Sequence, residues 1–137
     1  MRYSKEHQLV RPVSHYFSRH NFALQHHELP FYEYRIDLYG YSEDTDLTLA
    51  VELKLDKWQR ALEQALLYQL CSDLIYIAMP LTSVRRVDRD ALAAHGIGLI
   101  AVGRTGLCRV LLPARTSPVT RPHYKQAYVR LLKEICG

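Results

Sequence analysis

The fold of this chain is decided by one strand-like stretch, Leu47-Thr48-Leu49-Ala50-Val51-Glu52-Leu53-Lys54-Leu55. Its odd-numbered positions are all Leu or Val, and successive side chains of a strand point to opposite faces of a sheet. The alternation therefore predicts a strand with one wholly apolar face. Glu52 and Lys54 are expected side by side on the other face.

A second strand is predicted just upstream, at residues 34–41, and it carries an acidic residue of its own. Asp37 is expected on one face of this strand, opposite three apolar side chains that share the other face: Tyr34, Ile36 and Leu38. The polar turn at residues 42–46 favours a hairpin between the two strands. Such a hairpin would bring Asp37 next to Glu52 and Lys54, and this cluster is the main functional hypothesis.

The remaining pattern alternates helices and strands. The first predicted element is an amphipathic helix capped by Ser4 and ended by Asn21, with a kink or a delayed start at Pro12. The other predicted elements are a strand at 22–28 closed by Pro30, a helix at 57–71 capped by Asp56, a strand at 74–79, a helix at 87–95, strands at 98–102 and 108–112, and a helix from Pro122 to Ile135. Meandering strands followed by helix-connected strands predict an α/β fold. Its mixed central β-sheet is flanked by helices, with a parallel part in the second half.

Length and composition indicate one domain, residues 1–137, with room for a real core. No apolar run approaches the roughly 18 residues of a membrane span, and the N-terminal residues do not resemble a secretory signal. Three cysteines without C-x-x-C spacing are typical of a reducing cytoplasm and argue against a zinc site: Cys71, Cys108 and Cys136. The net charge of +4 is compatible with a polyanionic partner.

The acidic pair has the chemistry of a magnesium site. Mg²⁺ prefers oxygen ligands and often binds through one or two carboxylates together with water and substrate phosphate. Asp37 and Glu52 would supply two carboxylates, and Lys54 would reach the same phosphate. The alternative is a solvated strand face, on which Glu52 and Lys54 have no chemical role.

The helix at 57–71 carries two stripes when its residues are placed at 100° intervals. The predicted buried face is Trp58, Ala61, Leu62, Ala65, Leu66 and Gln69. A narrow separate stripe is Lys57, Arg60, Gln64 and Tyr68. For Gln64 and Tyr68, ordinary helix surface is the alternative interpretation.

Together these features resemble the PD-(D/E)xK phosphodiesterase superfamily, the restriction-endonuclease-like nucleases, over about residues 4–103. The matching features are Asp37 on one strand, Glu52-Leu53-Lys54 on the next, and the amphipathic helix that follows at once. The segment from Gln64 to Tyr68 is similar to the Q-x-x-x-Y motif of RecB-type exonucleases. The proline of the family name is absent, because Ile36 precedes Asp37.

The resemblance implies a restriction-endonuclease-like core and a set of residue roles. Asp37 and Glu52 would bind Mg²⁺, or Mn²⁺ as a substitute, with the Leu53 carbonyl as a possible third ligand. Lys54 would be the catalytic lysine. Gln64 and Tyr68 would line the site. Glu6 is the candidate for the glutamate that many relatives carry on the first helix.

The implied function is that of a cytoplasmic, metal-dependent endo- or exodeoxyribonuclease acting in DNA repair, recombination or defence. DNA is the expected partner, with a homodimer or a partner protein supplying specificity. Candidate phosphate contacts are Arg11, Lys57, Arg60, Arg85 and Arg86, and exposed members of the ten tyrosines could stack on unpaired bases. Two alternatives remain: a catalytically inactive nucleic-acid-binding or assembly subunit with this fold, and a plain α/β interaction domain.

Overall fold

The computed structural model describes residues 3–136, so residues 1, 2 and 137 of the predicted domain lie outside it. The elements are a 3₁₀ turn at Glu6–Leu9, α1 (Val10–Ser18), β1 (Leu24–Phe31), β2 (Tyr34–Ser42), β3 (Leu47–Leu53), α2 (Trp58–Tyr68), β4 (Leu74–Pro80), a 3₁₀ turn at Val84–Arg86, α3 (Arg89–Ala94), β5 (Gly98–Val102), β6 (Cys108–Leu112) and α4 (Pro122–Cys136). Among these residues, no helix combines the length and apolarity needed to cross a membrane.

The strands form one mixed sheet in the order β1-β2-β3-β4-β5-β6. Neighbours joined by short turns are antiparallel, whereas β3, β4 and β5 run parallel because α2 and α3 carry the chain back between them. The predicted α/β class, with a mixed sheet flanked by helices, is confirmed. The parallel part consists of β3, β4 and β5. Its strands β4 and β5 come from the second half of the chain, as expected, whereas β3 comes from the first half, and the last strand, β6, is antiparallel.

Each face of the sheet has its own core. One core packs against α1 and contains the apolar face of β3, namely Leu49, Val51 and Leu53. The other packs against α2, α3 and α4 and contains Ala50 from the same strand. The alternation predicted for β3 is therefore confirmed, and Glu52 points to the side of α2.

The strand β2 changes faces in its middle, so the prediction that Tyr34, Ile36 and Leu38 share one face is wrong. Ile36 packs in the core beside α2, whereas Leu38 packs in the core beside α1. The reason lies in the pairing, because the ladder between β2 and β3 ends at Leu38 and Val51. Beyond that point the two strands diverge, and Asp37 lies in the gap.

Two predicted element boundaries are wrong. Pro30 does not close β1 but pairs with Arg35 inside the hairpin, which is possible because β1 is an edge strand. The helix predicted to begin at Val87 begins at Arg89, where the Asp88 carboxylate accepts the amides of Asp90 and Ala91.

The predicted cap of α2 is also wrong. Lys57 occupies the cap position in a left-handed conformation, with φ of 55°, and no side chain caps the helix. Asp56 instead accepts a hydrogen bond from Arg86 at 2.9 Å. The sequence assigned the Asp56 side chain to a helix cap, but this side chain instead forms an ion pair with a residue far along the chain.

Candidate functional site

The candidate site lies in the fork where β2 and β3 separate. The Leu53 amide has no backbone partner on β2 there and donates to Asp37 Oδ2 at 2.8 Å. Glu52, the neighbour of Leu53, is only 4 % exposed. The Tyr68 hydroxyl of α2 hydrogen-bonds the Glu52 carboxyl at 3.2 Å and the Arg35 carbonyl at 3.1 Å. Two acidic groups and a buried phenol therefore meet at one place.

The two carboxyl groups perturb each other. Burial raises the pKa of Glu52 to about 9, and the negative charge of Asp37 adds to this effect. Burial also raises the pKa of Asp37, although the hydrogen bond from the Leu53 amide opposes the rise. Glu52 is therefore the protonated member of the pair at neutral pH. A buried pair of carboxyl groups binds a proton because the proton reduces their negative charge. A metal cation at the same position would be favoured for the same reason.

Lys54 completes the cluster predicted from the sequence. Its charge lowers the pKa of both Asp37 and Glu52, which places the ammonium within electrostatic reach of the pair. The Lys54 side chain is partly buried, and its backbone amide is fixed by a bond to the Ala78 carbonyl at 3.1 Å. None of the ion pairs within residues 3–136 involves Lys54, so the ammonium is available to an incoming anion.

Tyr68 and Gln64 are more buried than the alternative interpretation, ordinary helix surface, would require. Tyr68 is fully buried, whereas Leu62 and Leu66 of the predicted buried face are only partly covered. The assignment of Tyr68 to a stripe outside the buried face is therefore wrong, because its hydroxyl finds polar partners inside the site. Gln64 lies one turn earlier on the same side of α2, and its buried Oε1 has no partner among the residues described. A buried acceptor without a donor is unfavourable and marks a place where a donor can bind.

A cavity of about 720 Å³ opens beside Asp37, between α1 and the first three strands. Asp37 and Leu53 contribute from the sheet, and Arg11 and His15 contribute from α1. Glu6 lies in the 3₁₀ turn before α1, lines the same cavity and raises the pKa of Asp37 by its charge. Its role as the extra acidic residue of the site stays a prediction.

Further polar lining residues were not assigned to the site from the sequence: His7, Ser14, Ser18, His27 and Glu28. The position of His27 and Glu28 at the cavity could not be predicted. The first strand was predicted to end at residue 28, whereas it continues to Phe31. Only the pairing of β1 with β2 shows which of its side chains face α1.

The predicted phosphate contacts are dispersed. Arg11 lines the cavity, whereas the exposed Lys57 and Arg60 lie at the start of α2. Arg86 is paired with Asp56, and Arg85 is exposed in the same 3₁₀ turn. The structure thus brings one of the five predicted contacts to the cavity beside Asp37.

The donor set suits a hard cation held by few side chains. Residues 3–136 contain no group of three or more His, Cys, Asp or Glu side chains arranged to hold a metal ion. Asp37 and Glu52 supply two carboxyl groups. The Leu53 amide points toward Asp37, and the amide and carbonyl of one residue in a strand face the same edge. Two carboxylates and one carbonyl, completed by water, are ligands that Mg²⁺ accepts.

No family model and no curated protein sequence matches this chain. Among solved structures, a protein of unknown function from Silicibacter pomeroyi is similar, with a TM-score of 0.73 and 17 % sequence identity. The similarity covers 96 % of this chain and 86 % of the other. At this level of identity the similarity establishes the fold alone.

Proposed function

We propose that the protein is a metal-dependent DNA nuclease of the PD-(D/E)xK type, which hydrolyses phosphodiester bonds. One observation carries the proposal: the Asp37 and Glu52 carboxyl groups meet within electrostatic reach of Lys54, and Asp37 borders a cavity that Arg11 and His15 also line. The net charge of +4 agrees with a polyanionic substrate.

Asp37 and Glu52, with the Leu53 carbonyl, would hold Mg²⁺ or Mn²⁺. When bound, the ion would supply positive charge that polarises the phosphodiester and makes water a better nucleophile. The carboxyl pair favours such an ion, because burial disfavours two adjacent negative charges without a compensating cation.

The chain's own groups would bind and orient the DNA. The Lys54 ammonium would donate to a phosphate oxygen and stabilise the negative charge that grows during attack. Tyr68 holds the Glu52 carboxyl through its hydroxyl. Arg11 and His15, on the α1 wall of the cavity, would contact flanking phosphates, which fixes the register of the substrate without reading its sequence.

A second candidate is a non-catalytic nucleic-acid-binding or assembly subunit with the same fold. The burial of Glu52 favours it, because a carboxyl group that is 4 % exposed and protonated at neutral pH can serve as a core side chain. In that case Arg11 and the histidines of the cavity would contact DNA, and the acidic pair would bind no metal.

Cleavage assays separate the two candidates. Labelled single-stranded, duplex and flap DNA would be incubated with the full chain in Mg²⁺, Mn²⁺ or EDTA. We expect cleavage that needs the metal and falls at least about 100-fold in Asp37→Asn and in Lys54→Met. Lys133→Met is the matched control, because Lys133 is exposed on α4 outside the cavity, and it should keep activity. Binding without cleavage by the wild-type chain would support the second candidate instead.

A further inference from the structure

A cluster of aromatic side chains lies outside the acidic site, at the turn between β1 and β2 and at the start of α4. Phe31 and Tyr32 come from the hairpin, and their ring centroids are 4.8 Å apart. His123 and Tyr124 come from α4, with ring centroids 4.2 Å apart. The ring centroid of Phe31 is 5.6 Å from that of Tyr124, so the two pairs form one continuous aromatic cluster.

Tyr32 is exposed, as His123 of the same cluster is, and its backbone conformation is unfavourable for a residue with only a structural role. It is 68 % exposed, and its φ of 54° lies in the left-handed region. Hairpin positions with positive φ are usually occupied by Gly, Asn or Asp, because a Cβ atom adds steric strain there. Strain at an exposed aromatic residue points to a role for the ring in binding.

The Tyr32 ring is held in place. Its hydroxyl is hydrogen-bonded to the Tyr124 hydroxyl, and its edge packs against the buried Phe31 at an interplanar angle of 71°. A ring fixed in this way loses little conformational freedom when a ligand stacks on it. The ring is therefore preorganised as a flat, solvent-facing surface.

The cluster adjoins the acidic site and has basic surroundings. Phe31 contacts Tyr68 at a centroid distance of 6.4 Å, and Tyr68 bonds Glu52. The Tyr124 amide donates to the carbonyl of the exposed Arg121 at 3.1 Å. Arg35 is exposed on β2 next to the hairpin turn. The exposed Arg35 and Arg121 could therefore contact the phosphates of a strand whose base stacks on Tyr32.

We propose that Tyr32, supported by Phe31 and Tyr124, is a stacking surface for an unpaired nucleobase, and that the preferred ligand is single-stranded DNA or a duplex with an unpaired end. Every base has a face that stacks on an aromatic ring, whereas the bases of an intact duplex are already stacked on each other. As a statement about the substrate, this inference rests on the proposed nuclease function. As a statement about binding, it does not need catalysis.

The test measures binding without cleavage. The affinity of the full chain for a fluorescein-labelled oligo-dT strand, and for a duplex of the same length, is measured by anisotropy in EDTA. We expect tighter binding of the single strand. Tyr32→Gly should weaken this binding by about tenfold or more, whereas Tyr32→Phe should stay within a few-fold of the wild type. Glu33→Gln, at the neighbouring exposed position, is the control and should not weaken binding.

Thermal unfolding separates stacking from a structural role. Glycine relieves the positive φ, so Tyr32→Gly should bind less tightly while its melting temperature is not lowered. Unchanged oligo-dT affinity in Tyr32→Gly would overturn the inference, and so would equal or tighter binding of the duplex. Failure to bind either DNA would also overturn it and leave a protein as the partner of the cluster.

The two proposals fail in different ways. Oligo-dT binding that depends on Tyr32, without metal-dependent cleavage of any DNA, would refute only the nuclease. Cleavage that depends on Asp37, with no effect of Tyr32→Gly on binding or on substrate preference, would refute only the stacking surface.

Discussion

Replacement of Glu52 by glutamine should stabilise the protein while it removes the proposed metal site. Glutamine has nearly the shape of a protonated glutamic acid, so its amide can keep the contact with the Tyr68 hydroxyl. It cannot ionise. The substitution therefore removes the free-energy cost of holding this carboxyl group at a buried position.

The magnitude follows from the pKa of Glu52, which rises from an ordinary value of 4.5 to about 9 in the folded protein. A group whose pKa is raised on folding stabilises the protein fully below its unfolded pKa, and this contribution is lost as the pH rises through the folded pKa. Neutral pH lies about 2.5 pH units above the ordinary value, and each unit corresponds to about 1.4 kcal/mol. At pH 7 the wild type should thus be less stable than Glu52→Gln by at most about 3 to 4 kcal/mol, or roughly 10 °C in melting temperature.

Thermal unfolding in EDTA at pH 5, 7 and 8.5 measures this effect. The gap between Glu52→Gln and the wild type should be small at pH 5 and should grow with pH. Glu63→Gln makes the same chemical change at an exposed position of α2 and should follow the wild type at every pH. A Glu52→Gln protein that is no more stable at pH 7, or a gap that does not depend on pH, would refute the reasoning.

Four further predictions concern neighbouring groups. Tyr68→Phe removes a buried hydroxyl with two hydrogen bonds and should lower the free energy of unfolding in urea by about 1 to 2 kcal/mol; an unchanged value would contradict the role of the hydroxyl. Gln64→Leu removes a buried acceptor, Oε1, that has no hydrogen-bond partner among residues 3–136, so it should raise the melting temperature of the DNA-free protein. A lower melting temperature would indicate that Oε1 accepts a hydrogen bond in the wild type. Mg²⁺ should raise the melting temperature of the wild type but not of Asp37→Asn, and an equal rise in both would exclude Asp37 as a ligand. Asp73 and Lys125 form a largely buried ion pair with an N–O distance of 2.9 Å, which Asp73→Asn breaks. This substitution should lower the free energy of unfolding in urea by roughly 3 kcal/mol, and an unchanged value would contradict the prediction.

The order of apolar and polar residues within each segment predicted most helices and strands, because it reflects directly which side chains are buried. In β3 the alternation of apolar and polar residues agrees with the two cores, since each face of that strand packs against a different layer of helices. The same logic failed in β2, where Ile36 and Leu38 pack on opposite faces. That change of face depends on the divergence of β2 from β3, which is a property of the pairing and not of either strand alone.

Local rules also failed where a distant residue competes for a side chain. Asp56 stands just before α2 and has the chemistry of a helix cap, yet it pairs with Arg86. Tyr68 was assigned to a stripe beside the buried face, yet it is itself buried, and the Glu52 carboxyl and the Arg35 carbonyl accept hydrogen bonds from its hydroxyl. Neither partner is adjacent in sequence, so helix indexing could not identify them.

The sequence by itself determined that a strand with one apolar face carries Glu52 and Lys54 on the other, because side-chain alternation is a local property of the extended backbone. It also indicated Asp37 as the second acidic residue. Only the tertiary structure decided that Glu52 is buried with a pKa near 9, that Asp37 holds the Leu53 amide, and that α1 forms the wall of the cavity. These properties arise from contacts between segments far apart in the chain, and a pattern within one segment does not specify which other segment will cover it.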